Sequence, residues 1–274
     1  MKKWTKVVTT SILAISLLAG CGTSGDKATE ASDANGAKIK VGVTAGPHEE
    51  IVEKVKEVAA KDGLEIEIVS FNDYVQPNKV LAEGQLDANI FQHEPYLERF
   101  KTDHNLDLIK VANTINFPMG IYSTKVKDVQ EIADGAEVGL PNDPTNGARA
   151  LQLFELAGLI KLKEGVGVKA TIHDIAENPK NLKFKELEAA FIPKALDDLA
   201  AAAINTNFAM EHGYNPTNDS IFIEPKDSPW VNLIAVRTED KDRAEIAQLV
   251  KAYQSDEVKQ FIEEQFQGSV VPGW

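Results

Sequence analysis

From Ile39 onward, short apolar runs alternate with stretches in which apolar residues recur every three or four positions. Residues 39–43 form a buried-strand pattern, and Ile51, Val52, Val55, Val58 and Ala59 then share one helical face until Gly63 interrupts it. The same spacing predicts a strand over 66–71, a helix over 78–83, a strand over 88–91, a helix from Tyr96, and strands over 108–112 and 119–123. A second alternating set follows, with a short helix over 126–132, a strand over 136–140, a helix over 144–159, and strands over 168–172, 182–186, 199–204 and 221–224. Past Pro229, a strand over 232–236 precedes two amphipathic helices, 243–253 and 257–265. Strands alternating with helices predict an α/β fold with mainly parallel strands. The two sets predict two similar lobes, 38–122 and 123–229, with 230–274 returning to the first. Two connecting segments imply a hinge and a cleft, and clefts between lobes are where small ligands bind.

The N-terminus follows a different rule. Lys2, Lys3 and Lys6 precede an apolar run over 7–18 that is far shorter than the ~20 residues a spanning helix needs, which makes residues 1–20 a signal peptide. Leu18-Ala19-Gly20-Cys21 closes it and resembles a bacterial lipobox, with cleavage before Cys21 and acylation of its thiol. Acyl chains bind a bilayer at about 0.8 kcal/mol per buried methylene, so two or three of them anchor a protein durably on the extracytoplasmic face of the cell membrane. Residues 21–37 carry no Val, Ile, Leu or aromatic side chain and read as a flexible tether. Cys21 is the only cysteine, so the domain has to fold without a disulfide. The formal charge is −13, and the leader holds three lysines and no acid, which leaves −16 for the remainder. Acidity of that size argues against nucleic acid and against electrostatic attachment to anionic lipid.

Candidate chemistry concentrates at strand ends. In Pro141-Asn142-Asp143-Pro144-Thr145-Asn146-Gly147-Ala148-Arg149 the chain leaves a strand and opens a helix, with Asp143 suited to the N-cap and Pro144 to the first helical position. The free amides of such a helix favour an anion, and Arg149 can close on it with a bidentate fork; the alternative leaves Arg149 in solvent. In Phe91-Gln92-His93-Glu94-Pro95-Tyr96, just past a predicted strand, Phe91, His93 and Tyr96 with Tyr74 either wall an aromatic pocket or pack as core. Asn207, at a predicted strand-to-helix junction, and Asn232, where the chain is predicted to cross back, offer both donor and acceptor, which gripping a zwitterion requires. The five histidines show no metal-ligand spacing, and no nucleophile elbow, phosphate loop or dinucleotide fingerprint is present. The sequence therefore predicts no metal, no cofactor and no catalytic residue.

Together, Phe71-Asn72-Asp73-Tyr74, Asn89-Ile90-Phe91-Gln92-His93, Met119-Gly120-Ile121-Tyr122-Ser123, the 141–149 segment and the closing Val271-Pro272-Gly273-Trp274 make the chain resemble the NlpA-type lipoproteins, the methionine-binding family of ABC-importer substrate-binding proteins. The likeness runs from about Ile39 to Trp274. It implies a type II periplasmic-binding-protein fold, two α/β lobes joined by two crossover segments, closing on methionine and handing it to an ABC permease in the membrane. It further implies that Arg149 takes the ligand carboxylate, that Asn207 and Asn232 take the amino-acid backbone, with Asn146 in the same polar cluster, and that Tyr74, Phe91 and His93 enclose the side chain. L-Methionine is the expected ligand, with D-methionine, the sulfoxide or a dipeptide such as Gly-Met as alternatives. Two readings from other classes are a lipid-anchored hydrolase using His93 as base and a surface adhesin. The first would show turnover, and the second an exposed apolar patch without ligand-induced stabilisation.

Overall fold

Thirteen strands and nine α-helices make up the described residues, 37–226 and 228–274 of a computed structural model. The predicted leader, Cys21 and all of the predicted tether but Ala37 lie outside them. In chain order come β1 (Ala37–Thr44), α1 (Pro47–Lys61), β2 (Leu64–Phe71), α2 (Gln76–Ala82), β3 (Ala88–His93), α3 (Glu94–His104) and β4 (Leu108–Asn116). There follow β5 (Gly120–Tyr122), β6 (Glu137–Pro141), α4 (Pro144–Leu156), β7 (Lys161–Leu162), β8 (Ile175–Glu177), β9 (Lys183–Leu187), α5 (Ile192–Ala195), β10 (Ala201–Ile204), α6 (Thr206–Glu211), α7 (Pro216–Asp219) and β11 (Ser220–Ile223). The chain ends with β12 (Val231–Arg237), α8 (Ala244–Tyr253), α9 (Asp256–Phe266) and β13 (Val271–Pro272).

Two sheets organise these elements. The first has the order β13-β4-β12-β3-β1-β2 and the second β11-β5-β10-β6-β9. In each, three adjacent strands run parallel, and the next strand along is antiparallel to them: β12 against β3, and β5 against β10. Those two antiparallel strands are the ones that have just crossed from the other sheet. Residues 117–119 carry the chain out of β4 into β5, and residues 224–230 carry it out of β11 into β12. The sheets are thus mixed rather than mainly parallel: β12 and the closing β13 run against the other four strands of the first sheet, and β5 runs against the other four of the second.

Each sheet has its own core. Strands β1–β3 and β12 bury Ile39, Val41, Ile66, Ile90 and Ile234 against α1, α8 and α9, while α2 and α3 cover the other face through Leu81 and Leu97. The second sheet packs Val138, Leu140 and Ala203 against Leu151 and Phe154 of α4, and its opposite face against Leu196 and Phe208. Helix ends follow local chemistry: Gly46 takes a positive φ of 79° to turn β1 into Pro47 and α1, and the Asp143 carboxylate accepts the Asn146 amide to start α4.

One predicted strand is absent. Residues 168–172 form no strand; Gly167–Lys169 and Ile172–Asp174 are short 3-10 turns. Gly165 and Gly167, at φ +79° and +51°, turn the chain on either side of Val166. Asp174 accepts both the amide and the hydroxyl of Thr171, closing a capping box. Val168 is left 46% exposed, with no sheet to bury against.

Candidate functional site

At the meeting of the two sheets lies a small cavity, most of whose space is taken up by the side chains that line it. The seven side chains that the family resemblance nominated, Tyr74, Phe91, His93, Asn146, Arg149, Asn207 and Asn232, line it, as does the aromatic candidate Tyr96. The first sheet brings Phe91 and His93 at the end of β3 and Asn232 on the returning β12, where Asn232 pairs with His93. The second brings Asn146 and Arg149 on the first two turns of α4 and Asn207 on the first turn of α6. Gln92, Phe117, Asn205 and Thr206 complete the lining.

A chain of hydrogen bonds sets which atom of each polar group is left over. Asp143 is a pure acceptor and takes the Asn146 amide nitrogen on both carboxylate oxygens, at 3.1 and 3.0 Å. Asn146 Oδ1 must then face inward, where it accepts from His93 Nε2 at 3.1 Å and from Asn205 Nδ2 at 2.9 Å. The assignment agrees with His93 Nδ1, which accepts the Tyr96 amide at 3.1 Å and so leaves the ring proton on Nε2. Asn205 Oδ1 emerges buried and without a partner. On the facing side the Tyr74 hydroxyl donates to Asn207 Oδ1 at 2.5 Å, which orients Asn207 and leaves its Nδ2 buried and unpartnered. Asn232 Nδ2 donates to the Phe91 carbonyl at 3.3 Å and reaches His48 Nε2 at 3.1 Å, so among the described residues its Oδ1 accepts nothing. Two buried, unpartnered polar atoms, Asn205 Oδ1 and Asn207 Nδ2, thus stand on the lining of one cavity, and each costs desolvation free energy that a polar ligand would relieve.

Two expectations need correction. The bidentate fork of Arg149 does not face the cavity: Nε and Nη2 donate to the two oxygens of Glu224 at 2.8 and 2.5 Å, and Nη2 also donates to the Phe117 carbonyl at 2.7 Å. Nη1 alone stays without a hydrogen bond among the described residues. Nor is the N-terminus of α4 an open anion site, because the protein's own Asp143 carboxylate caps it. Burial holds that carboxyl above its usual range, while the donors from Asn146 and Thr145 work against the rise. Burial pushes His93 down to about 3, helped by the nearby Arg149 charge, and pushes His48 down to about 3 as well. Both imidazoles are neutral at pH 7, so neither brings a positive charge to the site.

The rest of the wall is aromatic. The Tyr74 ring lies 5.8 Å from Phe91, 6.0 Å from Tyr96 and 4.8 Å from Phe208 of α6, and Trp230 lies 5.0 Å from His93. Behind it, Asn78, Asn89 and Gln92 satisfy one another in a buried amide cluster that ties α2 to β3. Tyr74–Asn207 and His93–Asn146 span the cleft, so the two lobes meet directly over the cavity. Among the described residues no group of three or more His, Cys, Asp or Glu is placed to hold a metal ion.

Residues 39–274 match the family described as NlpA lipoprotein. The chain belongs to the NlpA lipoprotein family. This NlpA-family chain is 47% identical over 260 residues, 94% of its own length and 93% of the relative's, to the D-methionine-binding lipoprotein MetQ of Escherichia coli strain K12. Among solved structures it is similar to a nutrient-binding protein from Burkholderia cenocepacia bound to methionine, with a TM-score of 0.84, 49% identity, and 86% of this chain and 100% of that one covered. It is also similar to an ABC-transporter periplasmic substrate-binding protein from Coxiella burnetii, with a TM-score of 0.83, 41% identity, and 86% and 100% covered. The fold is that of the periplasmic binding proteins, two α/β lobes joined by two crossovers.

Sequence reasoning over this NlpA-family chain passed over Asn205, Thr206, Phe117 and Glu224. Asn205 carried a signal, since Asn-Thr-Asn directly after an apolar strand pattern marks a strand-to-helix turn with two amides. Glu224 carried only a faint one, an acid ending an apolar run before Pro225.

Proposed function

We propose that this protein captures methionine in the interlobe cavity and delivers it to an ABC permease, held to the extracytoplasmic face of a membrane through acylated Cys21. The observation that carries the reading is the set of unmatched groups around one aromatic-walled cavity. Arg149 Nη1 and Asn207 Nδ2 are donors suited to a carboxylate, and Asn205 Oδ1 and Asn232 Oδ1 are acceptors suited to an ammonium. Tyr74, Phe91, Tyr96 and Phe117 form an apolar, polarisable wall for a thioether, and sulfur contacts with aromatic rings contribute about 0.3–1.5 kcal/mol each. The Escherichia coli relative is named for binding D-methionine and the Burkholderia structure is of a protein bound to methionine, which is the same ligand class.

The mechanism is binding without chemistry. His93 is neutral and spends both nitrogens on Tyr96 and Asn146, so it has no free lone pair with which to act as a base. Ligand meets the aromatic wall of the first lobe, and closure brings Arg149 and Asn207 of the second onto its polar end, so that the closed state is favoured by contacts only it offers. The loaded, closed form is what docks on the permease. The test is thermal unfolding of ligand-stripped protein against L-methionine, D-methionine, methionine sulfoxide and Gly-Met. Ligand at a hundredfold excess over its Kd adds about 2.7 kcal/mol, a readily measured rise in Tm. A rise with none of the four refutes the proposal, and the ranking among them assigns the ligand.

A further inference from the structure

Arg149 is a long side chain on α4, and its many rotamers of similar energy leave its direction to be chosen by what it touches. What it touches lies off its own lobe's helix. Nε and one hydrogen of Nη2 go to Glu224, and the other Nη2 hydrogen goes to the carbonyl of Phe117. Glu224 is in turn held by the hinge: its Oε2 accepts the Met119 amide at 2.8 Å, and its own amide donates to the Met119 carbonyl at 2.9 Å. One carboxylate, 7% exposed, therefore joins the first crossover, the second crossover and the guanidinium, which is 3% exposed. Of the five N–H groups of Arg149, three are spent in this way, and the two on Nη1 remain. Trp230, with its ring 5.3 Å from the Arg149 Cζ, closes the guanidinium in from one face.

We propose that Glu224 is a positioning residue for ligand recognition: anchored on both crossovers, it fixes the Arg149 guanidinium so that Nη1 is the part offered to a ligand carboxylate. This rests on the amino-acid-binding reading above. Its physical content is preorganisation. A guanidinium already locked in its binding direction loses little freedom when the carboxylate arrives, whereas an unlocked one has to be ordered by the ligand. A second consequence concerns charge. With Glu224 neutralising Arg149, the pair adds no net charge to the cavity, so the ligand carboxylate is held by directed hydrogen bonds rather than by an unbalanced cation.

The test compares two ligands that differ only at the group Arg149 would meet, methionine and methioninol, by calorimetry on the full chain in detergent. Glu224→Asp keeps the charge but draws the carboxylate back by one methylene, and Glu224→Gln keeps the size but opposes an N–H to an Arg149 donor. Both variants are expected to weaken methionine about tenfold or more while changing methioninol little, as loss of a charge-assisted contact predicts. In an Arg149→Gln background, Glu224→Asp is expected to leave the methionine-to-methioninol ratio unchanged, since a residue that acts only through another has no effect once that partner is gone. Equal losses for both ligands, or an effect of Glu224→Asp that persists without Arg149, overturn the positioning role. A wild-type chain that binds neither ligand refutes the amino-acid-binding reading instead. If Glu224→Gln fails to fold, Glu224→Asp carries the decision.

Discussion

Lowering the pH from 7.5 to 5.0 should destabilise the folded protein by an amount set largely by two buried histidines. His48 and His93 are each held near 3 in the folded chain against an ordinary value of 6.5. Between those values the unfolded chain binds the proton and the folded one does not, so stability falls as pH falls through 6.5. One pKa unit corresponds to 1.36 kcal/mol, so each histidine costs about 2 kcal/mol on going from pH 7.5 to 5.0, and the pair about 4 kcal/mol. That is a large share of the ~5–15 kcal/mol typical of a folded domain. The surface carboxylates held low by lysines and local donors, Asp62, Glu67, Asp174 and Glu257, act mostly below pH 4.5 and outside this window. Asp143 works in the opposite direction, because burial makes the folded chain take up its proton first. Urea unfolding followed by circular dichroism at pH 7.5, 6.5, 5.5 and 5.0 measures the slope. His93→Gln lowers the starting stability but should cut the loss across the window by about half, with Asp143 common to both proteins. A wild-type change under about 1 kcal/mol, or an unchanged slope in His93→Gln, would refute the reasoning.

Arg149→Ala removes the Nη1 donor and strands Glu224 as a buried, unpaired charge, so methionine binding should disappear and stability should drop by about 3–5 kcal/mol; calorimetry showing unchanged affinity would end the proposed role. Phe91→Ala should weaken methionine more than alanine, because only the longer side chain reaches the aromatic wall; equal weakening would make the ring purely structural. Tyr74→Phe deletes the hydroxyl that reaches Asn207 across the cleft while keeping the ring against Phe208. Loss of one such bond, about 0.5–1.5 kcal/mol, should appear as ligand leaving roughly 2- to 13-fold faster in stopped-flow displacement, and an unchanged off-rate would mean that this bond does not hold the closed state.

The alternation of apolar runs and 3.6-residue periods by itself determined the α/β class, the order of the longer strands and helices though not the short β7, β8, α5, α7 and β13, and the strand-end positions where Phe91, His93, Asn146 and Arg149 stand. Those properties are local: a strand or helix is written in residues a few positions apart, and a cap such as Asp143 lies three residues from the amide it serves. The same locality misled at 168–172, where apolar residues follow a strand pattern but glycine turns leave them nothing to pair with. Only the tertiary structure decided which atoms of the site remain free. Arg149 meets a carboxylate 75 residues away, Asn205 an amide 59 residues away, and Tyr74 an amide 133 residues away. Each donor and acceptor has a fixed number of bonds to give. The ligand-facing set is therefore what remains after long-range partners have taken their share, and no local pattern in the chain records that subtraction.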